Sequence, residues 1–162
     1  EMKSTGEVMG IGKNFLSAYI KSQIASGLYL PQKGTVFLSI DDDSKENVLP
    51  LAKSLYELNF KLIATKGTGS FLKKNNIKTK LINKVKEGSP HIVDSLQDGK
   101  IDLVINTTKS TRSVKDSYSI RRTALMYNIP YLTTIAGAKV AVKAIKVLKK
   151  IDMSVKPLQA IN

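Results

Sequence analysis

The feature that most constrains how this chain can fold is an alternation along its length. Five apolar runs, Val36-Phe37-Leu38-Ser39-Ile40, Leu62-Ile63-Ala64, Lys80-Leu81-Ile82, Leu103-Val104-Ile105 and Tyr131-Leu132-Thr133, are each too short for a stable helix and mostly rich in branched side chains. Longer amphipathic stretches separate them. Short buried strands alternating with helices are the pattern of βαβ units, so the sequence predicts an α/β fold with a five-stranded, mainly parallel sheet covered by helices on both faces.

The helices are read from spacing and stop signals. Phe15, Leu16, Tyr19, Ile20 and Ile24 recur at helical spacing before Gly27. A second helix is predicted over 45–58, with Asp43 and Glu46 spaced as a capping box and Leu51, Leu55 and Leu58 as its apolar stripe. Pro50 interrupts it, and a start at Asn47 would place that proline in the first turn, where a missing N–H costs little. A short helix is predicted over 70–75 and another over 90–96, with Ser89 as N-cap, Pro90 at the first position and Gly99 beyond the end. The last two cover 114–127 and 136–150, and 151–162 reads as a terminal extension. Lys139, Lys143, Lys146 and Lys150 share one face of the last helix, opposite Ala141, Ala144, Ile145 and Leu148, and read as a solvated stripe.

Composition narrows the function. The 162 residues are enough for one domain with a real core, and 42% hydrophobic with 24% charged residues is ordinary for a globular protein. Zero cysteines exclude a disulfide framework, a thiol nucleophile, a thiolate zinc site and an iron–sulfur cluster, and point to a reducing, cytoplasmic setting. No apolar run approaches the roughly 20 residues that cross a bilayer, so no membrane partner is expected. The net charge of +13 raises nucleic acid as a partner, but only Arg112, Arg121 and Arg122 are arginine, the residue that base readout favours, and the reading is no nucleic acid. Glu1 stands ahead of Met2, so the chain reads as a piece of a longer one.

In a parallel sheet every strand ends at the same edge, where ligands bind. Here that edge is polar. Thr65-Lys66-Gly67-Thr68-Gly69-Ser70 follows the second strand, a turn into a helix whose N–H groups and hydroxyls suit a phosphate, although a plain tight turn would read the same way. Asn83-Lys84 follows the third strand and Asn106-Thr107-Thr108 the fourth, and Lys45 opens the helix after the first. Their convergence suits one or a few phosphate oxygens. Catalytic constellations are thinner: His91 is the only histidine and reads as structural, and Asp41-Asp42-Asp43 reads as a loop and helix cap, not a cation site. No catalytic residue and no metal ligand is expected.

Several ordered motifs carry a resemblance. Ser4-Thr5-Gly6-Glu7-Val8-Met9-Gly10, Ala64-Thr65-Lys66-Gly67-Thr68, Asn83-Lys84-Val85-Lys86-Glu87-Gly88, Asp102-Leu103-Val104-Ile105-Asn106-Thr107-Thr108 and Ile120-Arg121-Arg122 resemble the C-terminal part of the carbamoyl phosphate synthetase large chain. The resemblance implies that 1–30 ends the preceding ATP-grasp unit with a linking helix. It implies that 31–162 is the methylglyoxal-synthase-like allosteric domain, a three-layer α/β/α fold of the Rossmann or flavodoxin-like kind. It further implies nucleoside monophosphate effectors, UMP inhibiting and IMP activating, with Lys45, Thr65, Thr68, Lys84, Asn106, Thr107 and Thr108 around the phosphate and Val85, Ser117 and Ile120 nearer sugar and base. Tyr131 and Thr133 match ornithine-contacting positions. Chemistry would belong to the parent chain, a glutamine-hydrolysing ligase using ATP with Mg or Mn and K in pyrimidine and arginine biosynthesis, and no cofactor is expected in this domain. Partners implied are the rest of the large chain and the glutamine amidotransferase small chain, with self-association left open.

Two departures are visible: Lys66 stands where some relatives carry histidine or a small residue, and Pro50 is not a general feature of its helix. The competing reading is a stand-alone methylglyoxal-synthase-like enzyme acting on a triose phosphate. Such a reaction needs an ionisable base at the substrate, and the turn Gly88-Ser89-Pro90-His91 offers no carboxylate where those enzymes place an aspartate. The expected outcome of incubating the chain with dihydroxyacetone phosphate is therefore turnover at the buffer rate; faster turnover, lost in His91→Ala, would establish the enzyme reading instead.

Overall fold

The computed structural model describes residues 29–107 and 111–161, with Ala18; the predicted helix through Phe15 and Ile24 lies outside them. Strands β1 (Thr35–Ser39), β2 (Lys61–Ala64), β3 (Lys80–Leu81), β4 (Leu103–Asn106) and β5 (Tyr131–Leu132) alternate with α1 (Lys45–Glu57), α2 (Lys66–Lys74), α3 (Ile92–Gln97), α4 (Thr111–Met126) and α5 (Ile135–Ile161). The strands form one sheet in the order β3-β2-β1-β4-β5. All pairs are parallel, with Phe37 of central β1 level with Ile63 on one side and Val104 on the other. The fold is the three-layer α/β/α arrangement.

Strand periodicity sorts the core into two halves. Val36, Leu38, Leu62, Ala64, Leu103 and Ile105 pack on Val48, Leu51 and Leu55 of α1, Leu72 of α2, and Ala138, Ala141, Ala144 and Ile145 of α5. The alternate residues Phe37, Ile63 and Val104 face Ile92 and Leu96 of α3 and Ile120 and Ala124 of α4. A residue such as Leu55 or Leu103, fully buried, contributes roughly 1.5 to 3 kcal/mol by leaving water. Lys149 ties α5 to the end of α1 by donating to the Leu58 carbonyl at 2.6 Å, with its ammonium 5.5 Å from the Phe60 ring centroid.

Helix ends depart from the sequence reading in instructive ways. The Asp43–Glu46 capping box does not form. A 3-10 turn at Asp42–Ser44 precedes α1 and is capped by Asp41, whose carboxylate accepts from the Ser44 N–H, while α1 itself opens behind Ser44 with no side-chain cap. Pro50 therefore sits in the interior of α1, on its exposed side. α2 starts at Lys66 rather than Ser70, with Thr65 in the N-cap position, so Gly67 and Gly69 are helical. The Ser89-Pro90 cap is also corrected. Those residues, joined by a cis peptide bond, precede the helix, and extended His91 is its N-cap, accepting from Asp94 N–H while Asp94 accepts from His91 N–H at 2.9 Å. At the C-termini, Asn59, Asn76 and Asn128 adopt positive φ just past α1, α2 and α4. Phe60, Ile77 and Ile129 then donate back to Leu55, Leu72 and Ala124, as in Schellman closures. Gly99 ends α3 likewise, and α5 continues through the predicted extension to Ile161.

Gly34 opens β1 with φ of 122°, and a Cβ there would lie 2.0 Å from Oδ2 of Asp102, the oxygen that accepts from Thr35 N–H at 2.8 Å. Gly99 also has positive φ, 72°, but nothing within 4 Å. Gly34→Ala is expected to destabilise by about 2 to 4 kcal/mol, strain plus a lost hydrogen bond, and Gly99→Ala by about 1 kcal/mol. Urea unfolding checks the order; equal losses would show that the Asp102 contact adds nothing.

Candidate anion-binding cleft

The carboxyl ends of β1, β2 and β4 open into a cleft of about 480 Å³, closed on one side by the loop after β3 and on another by α4. Lys45, Thr65, Thr68, Lys84, Val85, Asn106, Thr107, Ser117 and Ile120 all line it, so three strand ends and two flanking walls bring these sequence-predicted residues together. Thr108 lies outside the described residues. Tyr131 and Thr133 do not line the cleft. Sequence reasoning missed Ser39, Ile40, Asp41, Asp42, Lys86 and Ser119, while Gly67 belongs to the turn it read as suited to a phosphate. Ser39 ends β1 and Ile40 and Asp41 follow it, so the strand-end argument applied to the other strands reaches them too; Asp41 and Asp42 were read only as loop and cap residues.

The buried threonines have structural duties. Thr68 Oγ1 accepts from the Ile40 N–H at 2.9 Å and donates to the Ile40 carbonyl at 3.4 Å, joining the first turn of α2 to the end of β1. Thr107 Oγ1 accepts from Asp41 N–H at 2.9 Å, joining β4 to the same segment. Thr65 occupies the N-cap position of α2 without capping it, its hydroxyl lying 3.4 Å from Ser39 Oγ. The first N–H groups of α2 have no acceptor within the helix, and the helix dipole adds partial positive charge there. Gly67 in that turn leaves room for Lys45, whose Nζ lies 3.4 Å from where a Cβ would stand. Gly69 serves α2 packing, since a Cβ there would overlap Leu81 Cδ2.

The opposite wall is the turn Val85–Glu87, preceded by Lys84. Its Glu87 carboxylate accepts from the Lys84 N–H at 2.8 Å and pairs with Lys66 Nζ of α2 at 3.5 Å, holding Lys84, Val85 and Lys86 across from the helix start. The Lys84 hydrogen bond, aided by the Lys66 and Lys84 charges, keeps the Glu87 carboxyl below its ordinary pKa. At the end of β4, buried Asn106 donates through Nδ2 to the Tyr131 hydroxyl at 2.8 Å. Burial pushes the Tyr131 phenol above its ordinary pKa, opposed by that hydrogen bond and by Arg121, whose guanidinium lies 5.9 Å from the ring centroid. Tyr131 thus meets the cleft through Asn106, whereas Thr133 is exposed beyond the end of β5.

His91 and Asp94 are committed to each other in the α3 cap and do not line the cleft. The His91 N–H, then the Ser89 side chain, lower the Asp94 pKa. Among the described residues, no three His, Cys, Asp or Glu side chains gather as a metal site, and no helix is long and apolar enough to cross a membrane.

These features define a class of open parallel α/β domain whose cleft lies at the carboxyl edge of the sheet, beside an uncapped helix start and flanking lysines. The family model of the MGS-like domain matches residues 47–133, and the chain belongs to that family. It is 48% identical over 159 residues to the carbamoyl phosphate synthase large chain of Myxococcus xanthus, covering 98% of this chain and 15% of that protein. It is 47% identical over 163 residues to the C-terminal section of the carbamoyl phosphate synthase large chain of Methanopyrus kandleri, covering 100% of this chain and 30% of that protein. The chain therefore spans a minor part of the curated relatives it matches. A methylglyoxal synthase from Elizabethkingia anophelis shares the fold, with a TM-score of 0.57 and 20% identity over 70% of this chain and 79% of that one.

Thr68→Val keeps the shape of the side chain but leaves the buried Ile40 N–H without its acceptor. The expected loss is about 1 to 3 kcal/mol of stability. Thr65→Val, which gives up only a 3.4 Å hydroxyl contact, is expected to lose less than about 1 kcal/mol by the same measurement of thermal unfolding.

Proposed function

We propose that this chain is the allosteric regulatory domain of a carbamoyl phosphate synthase large chain and that its cleft binds a nucleoside monophosphate. The observation that carries the reading is the start of α2, with N–H groups unserved by the helix and no side-chain cap, facing a cleft lined by Lys45, Lys84 and Lys86. A phosphate fits that chemistry, because a charged acceptor gains most from fixed N–H donors and ammonium groups. Val85, Ser117 and Ile120 supply apolar and hydroxyl surface for the sugar and base. UMP acts as the inhibitor and IMP as the activator in this reading. Ornithine binds beside Tyr131 and Thr133, and the Asn106–Tyr131 hydrogen bond is the path by which the two sites meet.

The domain itself is regulatory and cytoplasmic in this proposal. Carbamoyl phosphate formation, with ATP, Mg or Mn and K, takes place in the rest of the large chain, and the glutamine amidotransferase small chain supplies ammonia for pyrimidine and arginine biosynthesis. The enzyme alternative is disfavoured because His91 and the nearby Asp94 satisfy each other at the α3 cap, outside the cleft.

Calorimetric titration with UMP, IMP, inorganic phosphate and ornithine tests the reading. Saturable binding of the phosphate-bearing ligands is expected, and Lys84→Ala should weaken it about 10 to 150 fold, since a hydrogen bond to a charged group contributes roughly 1.5 to 3 kcal/mol. Lys146→Ala removes an exposed charge from the outer face of α5 and should change little, because charges beyond about 10 Å are screened at about 0.1 M salt. Equal weakening by both would replace the cleft with a diffuse basic surface.

A further inference from the structure

The cleft carries an anion of its own. Lys45 is the first residue of α1, with 19% of its side chain exposed, and its ammonium pairs at 2.5 Å with Asp42, whose side chain is 91% exposed. Both residues line the cleft. The backbone carrying Asp42 is fixed from the preceding side, Ile40 N–H by Thr68 and Asp41 N–H by Thr107. The neighbouring Asp41 carboxylate is committed to Ser44, accepting from its N–H at 3.0 Å and its hydroxyl at 3.3 Å. Lys45 Nζ also stands beside the first turn of α2, 3.4 Å from the position of a Cβ on Gly67. Asp42 and any anion at that turn therefore address the same ammonium.

We propose that Asp42 is an affinity-determining residue of the cleft: its carboxylate holds the Lys45 ammonium while the cleft is empty, and an anionic ligand binds by displacing it. The inference rests on the anion-cleft reading above. Displacement is easy in one direction because exposed ion pairs are weak and an exposed carboxylate swings into water without losing packing. A ligand that offered one carboxylate would exchange like for like on Lys45. A phosphate also takes the N–H groups of α2 and the charge of Lys84, so it gains where a simple carboxylate does not. The internal partner raises the concentration at which the cleft fills and keeps Lys45 extended toward α2 between ligands.

A purely local role is the alternative, since acidic side chains near a helix start favour α1 whatever the cleft holds. Asp43 and Glu46 share that role, and neither lines the cleft. The test is calorimetry of the 162-residue chain with inorganic phosphate and with UMP, on Asp42→Asn, Asp43→Asn, Lys45→Ala and the Asp42→Asn/Lys45→Ala double variant. Asp42→Asn should bind both probes about three- to tenfold tighter and Asp43→Asn within about twofold of the parent, and Asp42→Asn should add nothing once Lys45 is alanine. If Lys45→Ala and Lys84→Ala weaken binding but Asp42→Asn leaves it unchanged or weaker, the competitor is wrong and the cleft stands. If Asp43→Asn tightens binding as much as Asp42→Asn, a general charge effect replaces it. If neither lysine variant changes affinity, the cleft reading itself fails and takes this inference with it.

Discussion

The hydroxyl of Thr68 is the joint on which the cleft depends. It meets both backbone groups of Ile40, so the last turn of the central strand and the first turn of α2 cannot separate without leaving buried polar atoms unmet. Thr107 repeats the device one residue on, from β4 to Asp41. Two side chains that resemble phosphate ligands in sequence are thus first of all fasteners, accepting from backbone N–H groups before any ligand arrives. The groups that face the cleft are the opening N–H groups of α2 and the side chains of Lys45, already paired with Asp42, of Lys84 and of Asn106. This division explains why an edge made largely of small polar residues can be both rigid and receptive.

Leu38, Ala64 and Ile105 are fully buried behind this polar edge, whereas Lys84 and Lys86 are exposed and Lys45 is half-buried, so salt screens the loop lysines more than Lys45. Positive groups enter from three independent elements: Lys45 from α1, Lys84 and Lys86 from the loop after β3, and the dipole of α2. Negative groups temper them from the rim, Asp42 against Lys45 and Glu87 against Lys66. The depressed pKa of Glu87 indicates that its carboxylate is ionised throughout the neutral range, because the hydrogen bond from Lys84 N–H stabilises the charged form. The wall carrying Lys84 is consequently held by a permanent charge.

The strands were legible in the sequence because a buried parallel strand leaves a compact apolar run, and each run at positions 36–40, 62–64, 80–82, 103–105 and 131–133 coincides with a strand to within a residue or two. The cleft was legible for the same reason: once strands are placed, topology puts their carboxyl ends together. Helix starts were not. Whether a 3-10 turn capped by Asp41 stands ahead of α1, or Ser89 or His91 caps α3, turns on which residue has extended backbone, and tertiary hydrogen bonds such as Asp41 N–H to Thr107 bear on that. Glycine misled in the same way. Gly67 and Gly69 suggested a tight turn, yet both are helical, and their lack of a side chain serves the approach of Lys45 and Leu81. The three asparagines that close α1, α2 and α4 carry a signal that was available, since asparagine tolerates the left-handed conformation, but it is weaker than that of glycine.

The likeness to a methylglyoxal synthase structure is one of fold. Topology puts the cleft of this chain at the carboxyl edge of its parallel sheet. It does not fix what happens there, because chemistry depends on which side chains reach the ligand. In this chain the titratable pair closest in character to an acid–base apparatus, His91 and Asp94, is consumed by a reciprocal helix cap. Releasing either would expose unsatisfied N–H groups at the start of α3 before it supplied a base to the cleft. A side chain that closes a helix start in this way is held by its backbone partners, so His91 and Asp94 serve α3 rather than the cleft.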